Sequence, residues 1–184
     1  ILEVLDEEIE IQDESRESLT VEEGGITFDH VSFKYKKNAK EYVLSDVSLD
    51  IKPGQTVGII GGTGSAKTTL VQLIPRLYEA TEGEVLIDGK PVKAYPLEHL
   101  RDAVAVVLQK NTLFTGTIED NLRWGKEDAT KEEIAWACDI AGAAEFVERF
   151  PEGYDTYLDQ GGVNLSGGQK QRLCIARAVL KRPK

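Results

Sequence analysis

Hydrophobic and polar positions change their period near the middle of this chain. In "ITFDHVSFKY", Ile26, Phe28, His30, Ser32 and Lys34 alternate with Thr27, Asp29, Val31, Phe33 and Tyr35. That predicts a strand, although apolar residues fall on both of its faces. "YVLSDVSLDI" gives a second strand pattern through Val43, Val47 and Leu49, and "KPGQ" follows as a turn punctuated by Pro53 and Gly54. "TVGII" is a short β-branched run that suits a fully buried strand. A glycine-rich loop comes next, then "KTTLVQLIPRLYEA", where Leu70, Leu73, Ile74 and Leu77 recur at helical spacing. "GEVLIDGK" reads as a strand entering a turn, and "LEHLRDAVAVVLQ" as a short helix and another buried strand ending at Gln109. Beyond Gln109, "TIEDNLRWG", "TKEEIAWACDIAGAAEFVERF" and "SGGQKQRLCIARAVLKR" all have helical spacing. Residues 1 to about 23 show no clear period and read as a tether. Strands first and helices afterwards predict an α/β core with a helical insert.

Composition narrows the function. The chain has 184 residues, enough for one domain with a real core, and its 41% hydrophobic content excludes disorder throughout. No apolar run approaches membrane-span length, "AVAVVL" being far too short, and no basic-then-apolar leader is present. The net charge is -10. Glu3, Asp6, Glu7, Glu8, Glu10, Asp13, Glu14, Glu17, Glu22 and Glu23 face only Arg16 in the N-terminal segment, as in a solvated linker. Such acidity argues against a nucleic-acid groove, which needs clustered Lys and Arg. An anionic ligand must then be bound locally, by backbone N–H groups and a few placed cations. Cys138 and Cys174 have neither disulfide nor metal spacing and read as buried thiols of a reducing cytosol. Trp124 and Trp136 are expected to fill the core of the helical part, with His30 and His99 structural.

"GGTGSAKTTL" carries the first candidate chemistry. A strand, a glycine-rich turn and a helix in that order is the setting of a phosphate-binding loop, G-x-x-x-x-G-K-[ST], except that Ala66 stands where the pattern has glycine. Small residues from Gly61, Gly62, Thr63 and Gly64 to Ser65 and Ala66 let successive backbone N–H groups wrap an anion. Lys67 can reach the β- and γ-phosphates, Thr68 can coordinate Mg²⁺, and Thr69 can hydrogen-bond a phosphate oxygen. A lysine at the positive end of a helix is disfavoured unless a multiply charged anion sits there. Ala66 is expected within the first helical turn, where its methyl is tolerated; a positive φ would instead cost of order 1 kcal/mol.

"LSGGQ", Leu165 to Gln169, opens the last helix. Ser166 with Gln169 forms a capping-box pattern, S-x-x-Q, but a capping box needs neither Gly167 nor Gly168, which weaken a helix. Two glycines there suit close backbone approach to an anion.

With both motifs in place, nearly the whole chain resembles the nucleotide-binding domains of exporter-type ABC transporters. "GGTGSAKTT" resembles the Walker A loop and "LSGGQKQR" the ABC signature. Gln109 in "VVLQKNTLFTGTIEDNL" resembles the Q-loop, and Tyr35 in "VSFKY" the A-loop aromatic that stacks on adenine. "YLDQGGVN" resembles the exporter X-loop, with Gln160 where many members carry glutamate. The resemblance implies a P-loop NTPase fold: a RecA-like α/β core with an antiparallel β-subdomain, plus a helical subdomain. The divisions it implies are 1–23 as a linker from a membrane domain, 24–110 as the nucleotide-binding core and 111–184 as the helical subdomain.

The mechanism the family implies uses ATP and Mg²⁺. Two such domains pair head to tail, as a homo- or heterodimer, with ATP sandwiched between the Walker A loop of one and the signature of the other. Lys67, Thr68 and Thr69 hold phosphate and Mg²⁺ in cis, while Leu165, Ser166, Gly167, Gly168 and Gln169 form the signature that meets the partner's ATP. Gln109 ligates Mg²⁺ and, with Lys67, is the candidate catalytic residue of this stretch. The segment near Phe114 to Asn121 meets the coupling helices of a transmembrane domain, at the cytoplasmic face of a cell membrane.

The sequence ends at Lys184, just after the signature helix. The family pattern continues with a Walker B strand, a catalytic Glu, a D-loop and a switch His, so this stretch reads as truncated before Walker B. By itself it is expected to hydrolyse ATP negligibly and to fold poorly. Two alternatives stay open: a non-transport ABC ATPase, and a degenerate regulatory half of a heterodimeric exporter, to which Ala66 lends weight.

Overall fold

A computed structural model describes residues 11–13, 18–36 and 38–184, so most of the acidic N-terminal stretch lies outside the described residues. The chain divides into two units, residues 1–104 with Lys184, and residues 105–183.

The first unit is built on a four-stranded antiparallel sheet in the order β2-β1-β3-β4, from β1 (Ile26–Phe33), β2 (Leu44–Ile51), β3 (Glu82–Ile87) and β4 (Lys90–Pro91). The imperfect alternation of β1 has a physical cause. The ladder to β2 shifts register between Phe28 and Val31, and His30 sits at φ 48. A bulge of this kind inserts one residue and reverses the parity of the strand. Phe28 before it and Val31 and Phe33 after it are thereby all buried. Gly83 lies against the bulge, where a Cβ would stand 2.3 Å from the carbonyl oxygens of Asp29 and His30, so only glycine fits. The turn from β3 to β4 has positive φ at Asp88 and Gly89, the Asp-Gly pair favoured in two-residue hairpins.

Helix α1 (Lys67–Leu73) and helix α2 (Leu97–Ala103) complete this unit. Phe28, Val31, Phe33, Leu73, Val85, Ile87, Tyr95 and Leu100 form its core. Helix α1 is shorter than the periodicity predicts. Pro75 has no N–H to continue the ladder. Arg76 takes φ 53, and the N–H groups of Arg76 and Leu77 donate to the carbonyls of Leu73 and Gln72. That pair of bonds is a Schellman closure with arginine in the position usually held by glycine.

Two expected buried strands are corrected. Residues 55–60 and 104–108 have no strand hydrogen bonding, and Ile60 is 97% exposed. A strand is defined by its neighbours, and the described residues pair no strand with either segment. The β-branched runs therefore stay irregular despite their composition.

The second unit holds β5 (Gly116–Thr117) paired antiparallel to β6 (Tyr157–Leu158), and four helices: α3 (Ile118–Arg123), α4 (Lys131–Ile140), α5 (Ala144–Val147) and α6 (Gly167–Leu180). Helices α3, α4 and α6 each begin with a reciprocal capping box, from Thr117 and Asp120, Thr130 and Glu133, and Ser166 and Gln169. Their apolar faces meet in a core that includes Leu113, Ile118, Leu122, Ile134, Leu158, Leu173 and Leu180. Cys138 is buried there, and desolvation pushes its thiol up to about 11, as in an inert core cysteine. Cys174 is only half-buried.

Candidate functional site

The glycine-rich loop lies at the start of α1. Lys67 Nζ donates to the carbonyl oxygens of Gly61 at 2.7 Å and Gly62 at 2.8 Å, and to Ser65 Oγ at 3.1 Å. The ammonium is thus held above the loop by its own backbone. Gly64 has φ 81, and a Cβ on Gly61 would stand 2.5 Å from Ser65 Oγ, so both glycines answer local geometry. Ala66 is the N-cap of α1 at φ 59 and ψ 18, in the left-handed region. The expectation that it lies in the first helical turn is corrected: the turn begins at Lys67, and the chain enters it through a left-handed residue. No side chain caps this helix and no acid lies in its first turn. Thr68 is exposed, while Thr69 is 5% exposed.

Tyr35 follows β1 and reaches this helix. Its hydroxyl lies 2.7 Å from Thr69 Oγ1, and its ring stands edge-on to Phe33 and Tyr78, with centroids 5.0 and 5.2 Å away. The structure therefore brings Tyr35, Lys67, Thr69 and the loop together in one unit.

The second motif lies in the other unit. Ser166 Oγ accepts from Gln169 N at 3.3 Å, and Gln169 Oε1 accepts from Ser166 N at 2.9 Å. The capping box is real, yet it does not account for the glycines. A Cβ on Gly167 or Gly168 would meet nothing within 4 Å. Both are exposed, whereas Leu165 is buried in the core of this unit. Gln109 sits exposed at a bend of the same unit, and Gln160 opens a short turn of 3-10 helix.

A family profile described as ABC transporter matches residues 44–184. This chain belongs to the ABC transporter family. An uncharacterized ABC transporter ATP-binding protein of Bacillus subtilis is 48% identical over 180 residues, 96% of this chain and 31% of that protein. An ATP-dependent lipid A-core flippase of Chromobacterium violaceum is 46% identical over 169 residues, 92% of this chain and 29% of that protein. A solved bacterial Atm1-family ABC exporter with ATP bound matches with a TM-score of 0.91 at 36% identity, over 99% of this chain and 32% of that one. The chain thus spans under a third of the length of each. The likeness is to the nucleotide-binding domain of the exporter type, and the expected fold class holds, its antiparallel β-subdomain being the sheet described above.

Several residues of this ABC domain escape motif reading. Asn121, 1% exposed, binds Phe114 through both its N–H and its carbonyl, at 2.8 Å each, and donates to Thr117 O at 3.0 Å. It closes the loop of the "LFTGTIEDNL" segment, and its place before an apolar helix residue hides that task. Trp124 and Trp136 do not fill the core as expected; they are 67% and 42% exposed. Trp124 stacks on half-exposed Phe114 with centroids 4.5 Å apart, and Trp136 faces the Arg182 guanidinium. Helical spacing alone did not reveal that smaller Leu, Ile and Ala side chains had already filled that core.

Proposed function

We propose that this chain is the ATP-binding domain of an ABC exporter, which couples ATP binding and hydrolysis to movement of a substrate across a membrane. The observation that carries the reading is Lys67, a cation fixed above a glycine-rich loop at the positive end of an uncapped helix. A phosphate chain supplies the negative charge that the Lys67 ammonium lacks among these neutral oxygens, and it accepts from the first-turn N–H groups that no side chain caps. Tyr35 supplies the platform for adenine, and the loop from Gly61 to Thr69 wraps the triphosphate.

Among the described residues no cluster of carboxylates, histidines or cysteines could hold a metal ion. The exposed Thr68 hydroxyl fits the hard oxygen that Mg²⁺ takes from a protein while phosphate and water complete its shell, and the family assigns Gln109 as a further ligand. Bound there, Mg²⁺ would neutralise charge on the transferring phosphoryl group. In a head-to-tail pair, Ser166, Gly167 and Gly168 approach the γ-phosphate bound by the partner domain; their open backbone, with no neighbour that a methyl would touch, supports that role. Among the described residues no helix is long and apolar enough to cross a membrane. The reading assigns transport to a transmembrane domain whose coupling helices meet the segment near Phe114 to Asn121, at the cytoplasmic face.

The left-handed Ala66 favours a second reading, in which the site binds nucleotide but hydrolyses it poorly, as the regulatory half of a heterodimer. ATP turnover by the protein produced from its whole gene, lost in Lys67→Ala, is the expected result. Tight ATP binding without turnover selects the regulatory reading, and no binding at all refutes both.

A further inference from the structure

We infer that Tyr78 is a positioning residue for the adenine end of the proposed nucleotide site, fixing the ring of Tyr35 that the Thr69 hydroxyl fixes at its tip. The inference rests on the nucleotide-site reading above and adds a residue that none of the motifs contains.

Tyr35 is 53% exposed, so the core does not hold it; three contacts do. Phe33, itself 3% exposed, meets Tyr35 at an interplanar angle of 82°, and Tyr78 meets it at 85° with centroids 5.2 Å apart. Phe33 and Tyr78 also touch, at 5.5 Å, so the three rings form a closed triangle. Edge-to-face contact places the positive rim of one ring against the negative face of another, and so sets ring planes as well as positions. The Thr69 hydroxyl, 2.7 Å from the Tyr35 hydroxyl, adds the last constraint and ties the ring to the helix that carries Lys67.

The sequence delivers Tyr78 to this place by the way α1 ends. The left-handed Arg76 turns the chain back after Pro75, and its guanidinium is held by Glu79 and by the Gln12 carbonyl. Two bonds then fasten the following segment to the end of β1: Thr81 N donates to Ser32 O, and Lys34 N to Thr81 Oγ1. Tyr78, 37% exposed, sits between these anchors. A stacking platform that is already ordered loses less freedom when a base binds, so the triangle raises affinity for the base and not for the phosphates.

The test uses the protein produced from its whole gene and compares two ligands, ATP and inorganic tripolyphosphate, which has no base. The variants are Tyr78→Leu, which keeps apolar volume without a ring, and Tyr78→Phe, which restores the ring. The expected result is a three- to tenfold loss of ATP affinity in Tyr78→Leu, tripolyphosphate affinity within twofold of wild type, and recovery in Tyr78→Phe. Equal losses for both ligands mean general loosening and overturn the inference, as does unchanged ATP affinity. If the wild-type protein binds neither ligand, the nucleotide-site reading falls and takes this one with it. If Tyr78→Leu fails to fold, Tyr78→Met, which also lacks a ring, gives the same comparison, and the same outcomes decide.

Discussion

Ala66 offers a perturbation whose size can be worked out before it is measured. At φ 59 and ψ 18 it sits in the left-handed region, where an L-residue carries roughly 1–2 kcal/mol of strain. Replacing it with glycine removes that strain. Glycine also loses more freedom on folding, which returns roughly 0.5–1 kcal/mol of the gain. The methyl is partly buried against the core that includes Leu70 and Leu73, and deleting it forfeits a further fraction of about 0.8 kcal/mol. The three effects nearly cancel. Ala66→Gly should therefore change stability by less than about 1 kcal/mol and ATP affinity by less than about fivefold. Ala66→Val adds a β-branched side chain to the same backbone and should cost at least about 2 kcal/mol, or break the loop. Thermal unfolding and equilibrium ATP binding of the two variants beside wild type form the assay. Tenfold tighter ATP binding in Ala66→Gly would show that the alanine burdens the bound state specifically, and wild-type behaviour in Ala66→Val would show that the left-handed turn does not exist.

Three further outcomes follow from particular contacts. Burial pushes the Asp88 carboxyl up, but backbone N–H groups of Glu22, Glu23, Gly25 and Gly24 outweigh it and hold it below its ordinary value. A carboxyl depressed in the folded state stabilises above its unfolded value and loses that effect as pH falls through its folded one. Asp88→Asn should thus cost roughly 1–3 kcal/mol near neutrality, and the gap from wild type should narrow below about pH 4; a gap independent of pH refutes the assignment. Asn121→Ala leaves the Phe114 N–H and two carbonyls without their buried partner, and should destabilise by at least about 2 kcal/mol in denaturant titration. Gly168→Ala meets nothing within 4 Å, so it should stabilise by up to about 1 kcal/mol while weakening ATP-dependent pairing of domains, read by crosslinking or light scattering.

The sequence was most legible where one local rule was enough. The capping box at Ser166 and the turn at the end of "GEVLIDGK" follow from short patterns whose chemistry is local. The loop carrying Lys67 was legible because a lysine at a helix start contradicts helix electrostatics and so asks for an anion. What stayed hidden depends on partners distant in sequence. "TVGII" has the composition of a buried strand, but a strand needs a neighbour, and no described residue pairs with it. The bulge in β1 was present only as a faulty alternation, whose meaning required knowing that Phe28 and Val31 share a side. Tyr78 lay within an apparently continuous helical pattern, and only the closure at Arg76 turned it toward Tyr35.

The two helix starts that carry the motifs solve the same problem in opposite ways. Every helix begins with four N–H groups that its own ladder cannot satisfy. Helix α6 meets part of that need from within, through Ser166 and Gln169, and then presents two glycines to the outside. Helix α1 has Ala66 at its N-cap, which offers no acceptor and forgoes about 1 kcal/mol that a serine or threonine would supply. The left-handed strain falls on the same residue, so local instability concentrates at the loop where phosphate is proposed to bind. An anion relieves the orphaned donors of α1, whereas it only adds to a helix start already capped at α6. ATP should therefore slow amide exchange strongly at Lys67 to Thr69 in the same domain. At Gly167 to Lys170 it should slow exchange only when a second domain is present. Equal protection of both segments in isolated single domains would overturn the division of labour argued here.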